Sequence, residues 1–190
     1  MNEKNVIIVL FCIIFPLFLL LLSYKTVLFL TPLASGQQNV FQFLEGKSDL
    51  QSGFTELEVS HLEDVKKVMK YADYVFYILL LIVTTIITYY RKEKDFVLEL
   101  LNYGGKVTGA VIIFVGVFAL LFFDALFTLF HKIFFPQGNW IFAADSLLIH
   151  TFPLEFFVSI SRNIFLVTLF LGIVFILSKH FFRHVRNHRH

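Results

Sequence analysis

Residues 6–30 read VIIVLFCIIFPLFLLLLSYKTVLFL, an apolar run whose one charged side chain is Lys25. A bilayer core accommodates about 20 apolar residues as a helix, so this stretch is long enough to cross a membrane. PLASG at 32–36 resembles a leader-peptide cleavage site. The apolar run nevertheless exceeds the roughly 7–15 residues of a leader's core, and a spanning helix over 5–30 is expected. Three further runs qualify, at about 72–90, 107–130 and 163–182. The 190 residues are 57% hydrophobic and 16% charged, with 26 phenylalanines, and the mean hydropathy is +0.76. That balance leaves too little polar surface for a soluble domain. The expected fold is an all-α integral membrane protein, one domain over 1–190. Its four-helix transmembrane bundle carries a small cap made from 31–71 and 131–162.

Basic residues flanking the spans set the expected orientation. Lys4, Arg91, Lys92, Lys94, Lys106, Lys179, Arg183, Arg186 and Arg189 fall on one side, six other basic residues on the opposite side. Counting acidic residues as well, with Asp73 at the edge of its span included, gives a net +5 on the first side and −3 on the second. Both termini and the 91–106 segment are therefore expected in the cytoplasm, and the cap outside the cell membrane. Cys12 is the single cysteine, which excludes an internal disulfide, and it is read as a small buried apolar residue. No GxSxG, HExxH, P-loop or CxxC motif occurs. Nothing points to nucleic acid, while the cationic C-terminus suits anionic phospholipid.

The cap segments carry the candidate chemistry. Within 31–59, VFQFLEG and FTELEV alternate apolar and polar residues between glycines, a pattern compatible with a short β-hairpin. Ser60 followed by Glu63 matches a capping box, which would place His61 in the first turn of a helix with Asp64 on the same face. That pattern equally fits a solvated helix start. Asp124, Thr128 and His131 follow at spacings of four and three on one helical face. In a continuous span Asp124 would lie about 10 Å deeper than His131, where a carboxylate faces a cavity or a partner; Lys25 is the matching cation. Residues 131–162 are too apolar for a free loop and too broken by Pro136, Gly138 and Pro153 for a fifth span. They read as an interfacial cap anchored by Trp140 and phenylalanines. His180, His184 and His188 stand at metal-compatible spacing, although a basic interfacial tail accounts for them more simply.

HLEDVK at 61–66, and FHKIFFPQGNWIFAADSLLIHTFP at 130–153, resemble the lipoprotein intramolecular transacylase family (Lit) of low-GC Gram-positive bacteria. His150 departs from the family pattern. The resemblance implies transfer of an acyl chain from the glyceryl group of a diacylglyceryl-cysteine to that cysteine's own α-amino group, giving a lyso-form lipoprotein. It places the family's histidine pair on His61 and His131, with Asp64, Asp124, Trp140 and Asp145 as supporting residues. The implied partners are diacylglyceryl lipoproteins and membrane phospholipid, with no cofactor or metal. Two rival readings stand beside it. One is a membrane esterase or acyltransferase with another acceptor; the other is a non-catalytic or metal-responsive membrane protein using the histidine tail.

Overall fold

The computed structural model describes residues 2–187, with side chains described through Phe181. Seven helices follow in order: α1 (Glu3–Leu30), α2 (Ser35–Leu44), α3 (Glu56–Tyr89), α4 (Lys94–Leu121), α5 (Phe123–Phe134), α6 (Leu147–Thr151) and α7 (Leu154–Asn187). No strand occurs among the described residues. Four helices, α1, α3, α4 and α7, are long and apolar enough to cross a membrane, so the fold is that of a four-span helical membrane protein. The chain forms two compact units.

The first unit comprises Met1–Phe29, Val75–Val117 and Arg162–His190. Phe11, Phe15 and Leu19, four residues apart on one stripe of α1, are buried against Phe76, Leu79 and Val83 of α3 and Leu100 of α4. Phe11 and Phe15 stack at 4.6 Å, and Phe15 meets Phe175 of α7 edge-on at 5.2 Å. Without a hydrophobic effect between lipid-bathed helices, close backbone approach supplies the packing. At Gly105 an added Cβ would lie 2.7 Å from the carbonyl oxygen of Gly172, so α4 and α7 meet backbone to backbone. Polar side chains inside this unit are tied to helix carbonyls: Asn102 Nδ2 donates to Ile176 O at 2.8 Å, and Thr108 Oγ1 to Gly104 O at 2.8 Å. The expected 91–106 loop is therefore only a short turn ahead of Lys94. Asn102 lies buried inside α4.

The second unit comprises Leu30–Tyr74 and Phe118–Ser161, and it corrects three expectations. The hairpin is instead α2. Val40 and Leu44 stand one helical turn apart and bury against Leu62, Leu148 and Phe152. Gly46, at φ +75°, is a helix stop. Its N–H donates to Phe43 O at 2.9 Å and that of Lys47 to Gln42 O at 2.8 Å, a Schellman closure. The start of α3 lies earlier than Ser60. Thr55 Oγ1 accepts from Glu58 N–H at 3.3 Å, and Glu58 Oε2 accepts from Thr55 N–H at 2.7 Å, so the reciprocal cap sits one and a half turns upstream. The third run is not one span, because the helix breaks at Phe122 (φ −137°, ψ 41°) and restarts as α5. Asp124 is thus exposed in the first turn of a separate helix, where its charge complements the helix dipole. Asp124 therefore does not lie within a continuous third span. Lys25 Nζ sits 5.6 Å from the ring centroids of Phe76 and of Tyr77.

Candidate active site

The first four turns of α3 carry Glu56, Glu58, Glu63, Asp64, Lys66, Lys67 and Lys70. They are too charged for hydrocarbon, so His61 stands on the polar N-terminal part of this helix. His61 is buried, 9% exposed, with Phe135 at 4.7 Å and Phe142 at 5.4 Å between ring centroids. His131, in the last turn of α5, brings its ring to 6.4 Å from that of His61, the planes 20° apart. The two histidines, 70 positions apart in sequence, thus share one pocket of aromatic walls.

Each imidazole has a distinct setting. His131 Nδ1 lies 2.8 Å from Phe127 O. A carbonyl only accepts, so Nδ1 carries the hydrogen, and in the neutral ring Nε2 keeps its lone pair. Trp140 faces the His131 ring at 4.8 Å and Phe127 at 4.1 Å. His61 has its pKa pushed down to about 4: burial against the phenylalanines dominates, His131 adds to it, and Asp64 and Asn139 oppose it. His61 is therefore neutral at pH 7.

Asp64 does not hydrogen-bond either histidine. Its Oδ2 accepts from Asn139 Nδ2 at 2.8 Å and from Gln137 Nε2, and its Oδ1 from Lys67 Nζ at 2.9 Å. Hydrogen bonds from Lys67, Asn139 and Gln137 hold its carboxyl below the usual range, against a smaller burial penalty. Asp64 thereby clasps the 137–139 turn, in which Gly138 takes φ +79°, a conformation that side chains with a Cβ rarely adopt. Asp124 and Asp145 are exposed and make no hydrogen bond or ion pair with the pair of histidines. His150 is exposed on α6. Among the described residues no three His, Cys, Asp or Glu side chains gather as a metal site. The histidine tail lies outside the described side chains from residue 182 onward.

Two residues of this region were not singled out from sequence. Asn139 is 6% exposed and bonds both Asp64 and, at 3.1 Å, Ser60 Oγ. Glu58, 1% exposed, accepts from Leu148 N–H at 2.8 Å. It also accepts from Thr55 N–H and Oγ1, so one carboxylate ties the start of α3 to α6. Burial alone would raise the Glu58 pKa, but these hydrogen bonds outweigh it and keep the group ionised. The Thr55-x-x-Glu58 cap was the signal that could have found Glu58. For Asn139 the only signal was the Gly-Asn-Trp turn itself.

A family model for the lipoprotein intramolecular transacylase Lit matches residues 37–157, the stretch that holds both histidines. A relative from Aquifex aeolicus (strain VF5), described only as an uncharacterized protein, is 29% identical over 138 residues, 67% of this chain. The match spans 62% of that relative's length, less than two thirds of it. Among solved structures, the membrane-integral lipoprotein intramolecular transacylase Lit from Bacillus cereus is 20% identical, with a TM-score of 0.81 over 98% of this chain and 97% of that one. A variant of the same protein with one histidine replaced by alanine is 18% identical, with a TM-score of 0.77 over 97% and 95%. At these identities the structures establish a common fold. The family match extends over more than half of the chain, and the protein belongs to the lipoprotein intramolecular transacylase Lit family.

Proposed function

We propose that the protein moves an acyl chain from the glyceryl group of a diacylglyceryl lipoprotein to the α-amino group of the same molecule's N-terminal cysteine. The product is the lyso-form lipoprotein. The observation that carries this reading is the pairing of His131, its Nε2 left free by the bond from Nδ1 to Phe127 O, with a neutral His61 in one aromatic-walled pocket. His131 Nε2 removes a proton as the cysteine amine attacks the ester carbonyl, forming the C–N bond. As the C–O bond breaks, the same proton passes to the departing glyceryl oxygen. Proton count and charge balance, no water is consumed, and the amide replaces one ester. His61, kept neutral by burial, is the partner of His131 in this step. Because nucleophile and ester belong to one substrate, orientation replaces a bimolecular encounter, and no serine or cysteine nucleophile is needed. The apolar walls of Phe135, Phe142 and Trp140 suit acyl chains and exclude competing water.

In this reading both termini face the cytoplasm and the histidine pocket opens at the outer membrane surface, where lipoprotein and phospholipid are met. The asymmetry of basic residues supports that orientation. A cysteine placed at exposed Ser48 should react with an impermeant thiol reagent in intact cells, and one at exposed Lys92 only after permeabilisation.

The deciding experiment is mass spectrometry of lipoprotein N-termini from a host making diacylglyceryl lipoproteins, with and without this protein. Conversion at unchanged mass, with one acyl chain becoming resistant to mild ester cleavage, is expected. Loss of one acyl chain would instead mark an esterase. Label passing between separately tagged lipoproteins would mark an intermolecular acyltransferase.

A further inference from the structure

Among the described residues, two buried side-chain nitrogen or oxygen atoms lack a hydrogen-bond partner: His61 Nδ1 and Asn139 Oδ1. Buried polar atoms are seldom left so, and these two belong to the same pocket. The Asn139 amide has only one possible orientation. Its Nδ2 faces Asp64 Oδ2 at 2.8 Å and Ser60 Oγ at 3.1 Å. A carboxylate accepts and never donates, so the atom beside Asp64 is the nitrogen and the opposite end is the oxygen. That oxygen is the buried acceptor without a partner, on an amide held by Ser60 and Asp64, which flank His61 on α3. Asn139 also raises the His61 pKa, against the larger effect of burial. The ring's other neighbours, Phe135 and Phe142, offer no polar atom.

We propose that Asn139 is a positioning residue of the active site: its Oδ1 selects the His61 tautomer with hydrogen on Nδ1, and Asp64 with Ser60 locks the amide that does so. The inference rests on the proposed transacylase reading for its catalytic meaning, and on the geometry alone for the tautomer. With hydrogen on Nε2 both buried atoms are acceptors and neither can serve the other; with hydrogen on Nδ1, a small approach of the two side chains lets one bond satisfy both. His61 then matches His131, whose Nδ1–H is held by Phe127 O. Both rings keep Nε2 free to accept a proton. Asp64 acts on His61 through Asn139 and through its charge. This gives a reason for an aspartate three residues beyond the histidine, where the two share a helix face without touching. The charged or titratable groups facing His61 are His131 from α5 and Asp64 from α3, the latter already bonded to Lys67.

The test is nitrogen-15 NMR of histidine-labelled full-length protein in nanodiscs without substrate, with the His61 signals assigned by their loss in His61→Phe. At pH 7 the wild-type His61 Nδ1 should be of the protonated, pyrrole type and Nε2 of the pyridine type. Asn139→Leu should give a mixture of tautomers. It should also lower kcat by about ten- to hundredfold with KM little changed, the range expected for one lost buried hydrogen bond. The exchange Asp64→Asn with Asn139→Asp places the carboxylate next to the ring. It should restore the Nδ1–H form, raise the His61 pKa and recover part of kcat, which a purely structural role would not do. An Nε2–H tautomer in the wild type, or an exchange variant with unchanged His61 pKa, overturns the proposal, and either reading stands if Asn139→Leu fails to fold. The tautomer is read in the resting protein. A correct tautomer in a protein that transfers no acyl chain would therefore sink the proposed reaction and leave the assignment of Asn139 to the His61 tautomer intact.

Discussion

In the first unit the buried residues are mainly apolar, among them Phe11, Phe15, Leu19, Phe76 and Leu100, with Ser23, Thr108 and Thr168 bonded to their own helices and Asn102 to a carbonyl of α7; in the second they include Glu58, His61 and Asn139. The difference follows from backbone. Where every segment is helical, N–H and C=O groups are satisfied internally, and ring stacking and glycine contacts suffice. Where the chain turns irregularly, between α5 and α6, buried polar side chains must pair with one another and with loose N–H groups. Leu148 N–H on Glu58 and the 137–139 turn on Asp64 are such pairings. An element built this way holds polar atoms out of water at fixed positions, which a site for proton transfer needs and an apolar bundle cannot supply.

The contrast breaks first at His131. Replacing it with asparagine should lower conversion by roughly 10²–10⁴, the range for losing a general acid–base group, while thermal unfolding moves little because the side chain is only partly buried. His61→Asn should also be strongly impaired. The double variant should lose less than the product of the singles if the two act as one unit. Full activity in His131→Asn would remove the second unit's claim to the chemistry.

How far the sequence disclosed this arrangement depended on the length of each signal. Apolar runs of about 20 residues pointed to four spanning helices, and four helices are long and apolar enough to cross a membrane. Two separated motifs identified His61 and His131, which the second unit brings within one pocket. Short signals failed. In VFQFL, period 2 and period 3.6 are both satisfied over five residues, and only packing against Leu62 and Phe152 selects the helix. Thr55-Glu58 and Ser60-Glu63 are two capping boxes five residues apart, and local pattern cannot choose between them. The break at Phe122 falls within an apolar run, with no proline or glycine inside five residues on either side; the sole sign is Asp124, an acid suited to a helix's first turn rather than to a membrane interior. Asn139 was invisible because its meaning depends on α3 lying beside it.

The next effect tests the first unit. Gly105→Ala would push a methyl to 2.7 Å from Gly172 O, a backbone atom with no rotamer to yield. A loss of about 1–3 kcal/mol is expected for such overpacking. Gly109 lies four residues on, and a Cβ there meets nothing within 4 Å, so Gly109→Ala should be nearly neutral. Differential scanning calorimetry of the two variants in one detergent separates them. Equal stabilities would mean that α4 and α7 do not depend on backbone contact.

The smallest effect is a pH dependence confined to the second unit. His61 has a folded pKa of about 4, against about 6.5 for a free imidazole. Between those values the opened form binds a proton that the closed form refuses, so stability is full above about pH 6.5 and declines as pH falls toward 4, by about 1 kcal/mol per pH unit. Hydrogen exchange at pH 5 and pH 7, corrected for intrinsic rates, should show amides of residues 56–71 and 123–151 opening more readily at the lower pH. The first-unit core around Phe15 and Leu100 should hardly change. His61→Phe keeps an aromatic ring among Phe135 and Phe142 and removes the titrating group, so it should flatten the dependence. If His61→Phe leaves the pH slope intact, another group governs the second unit, and the buried neutral imidazole is not the cost that sets it apart from the apolar bundle.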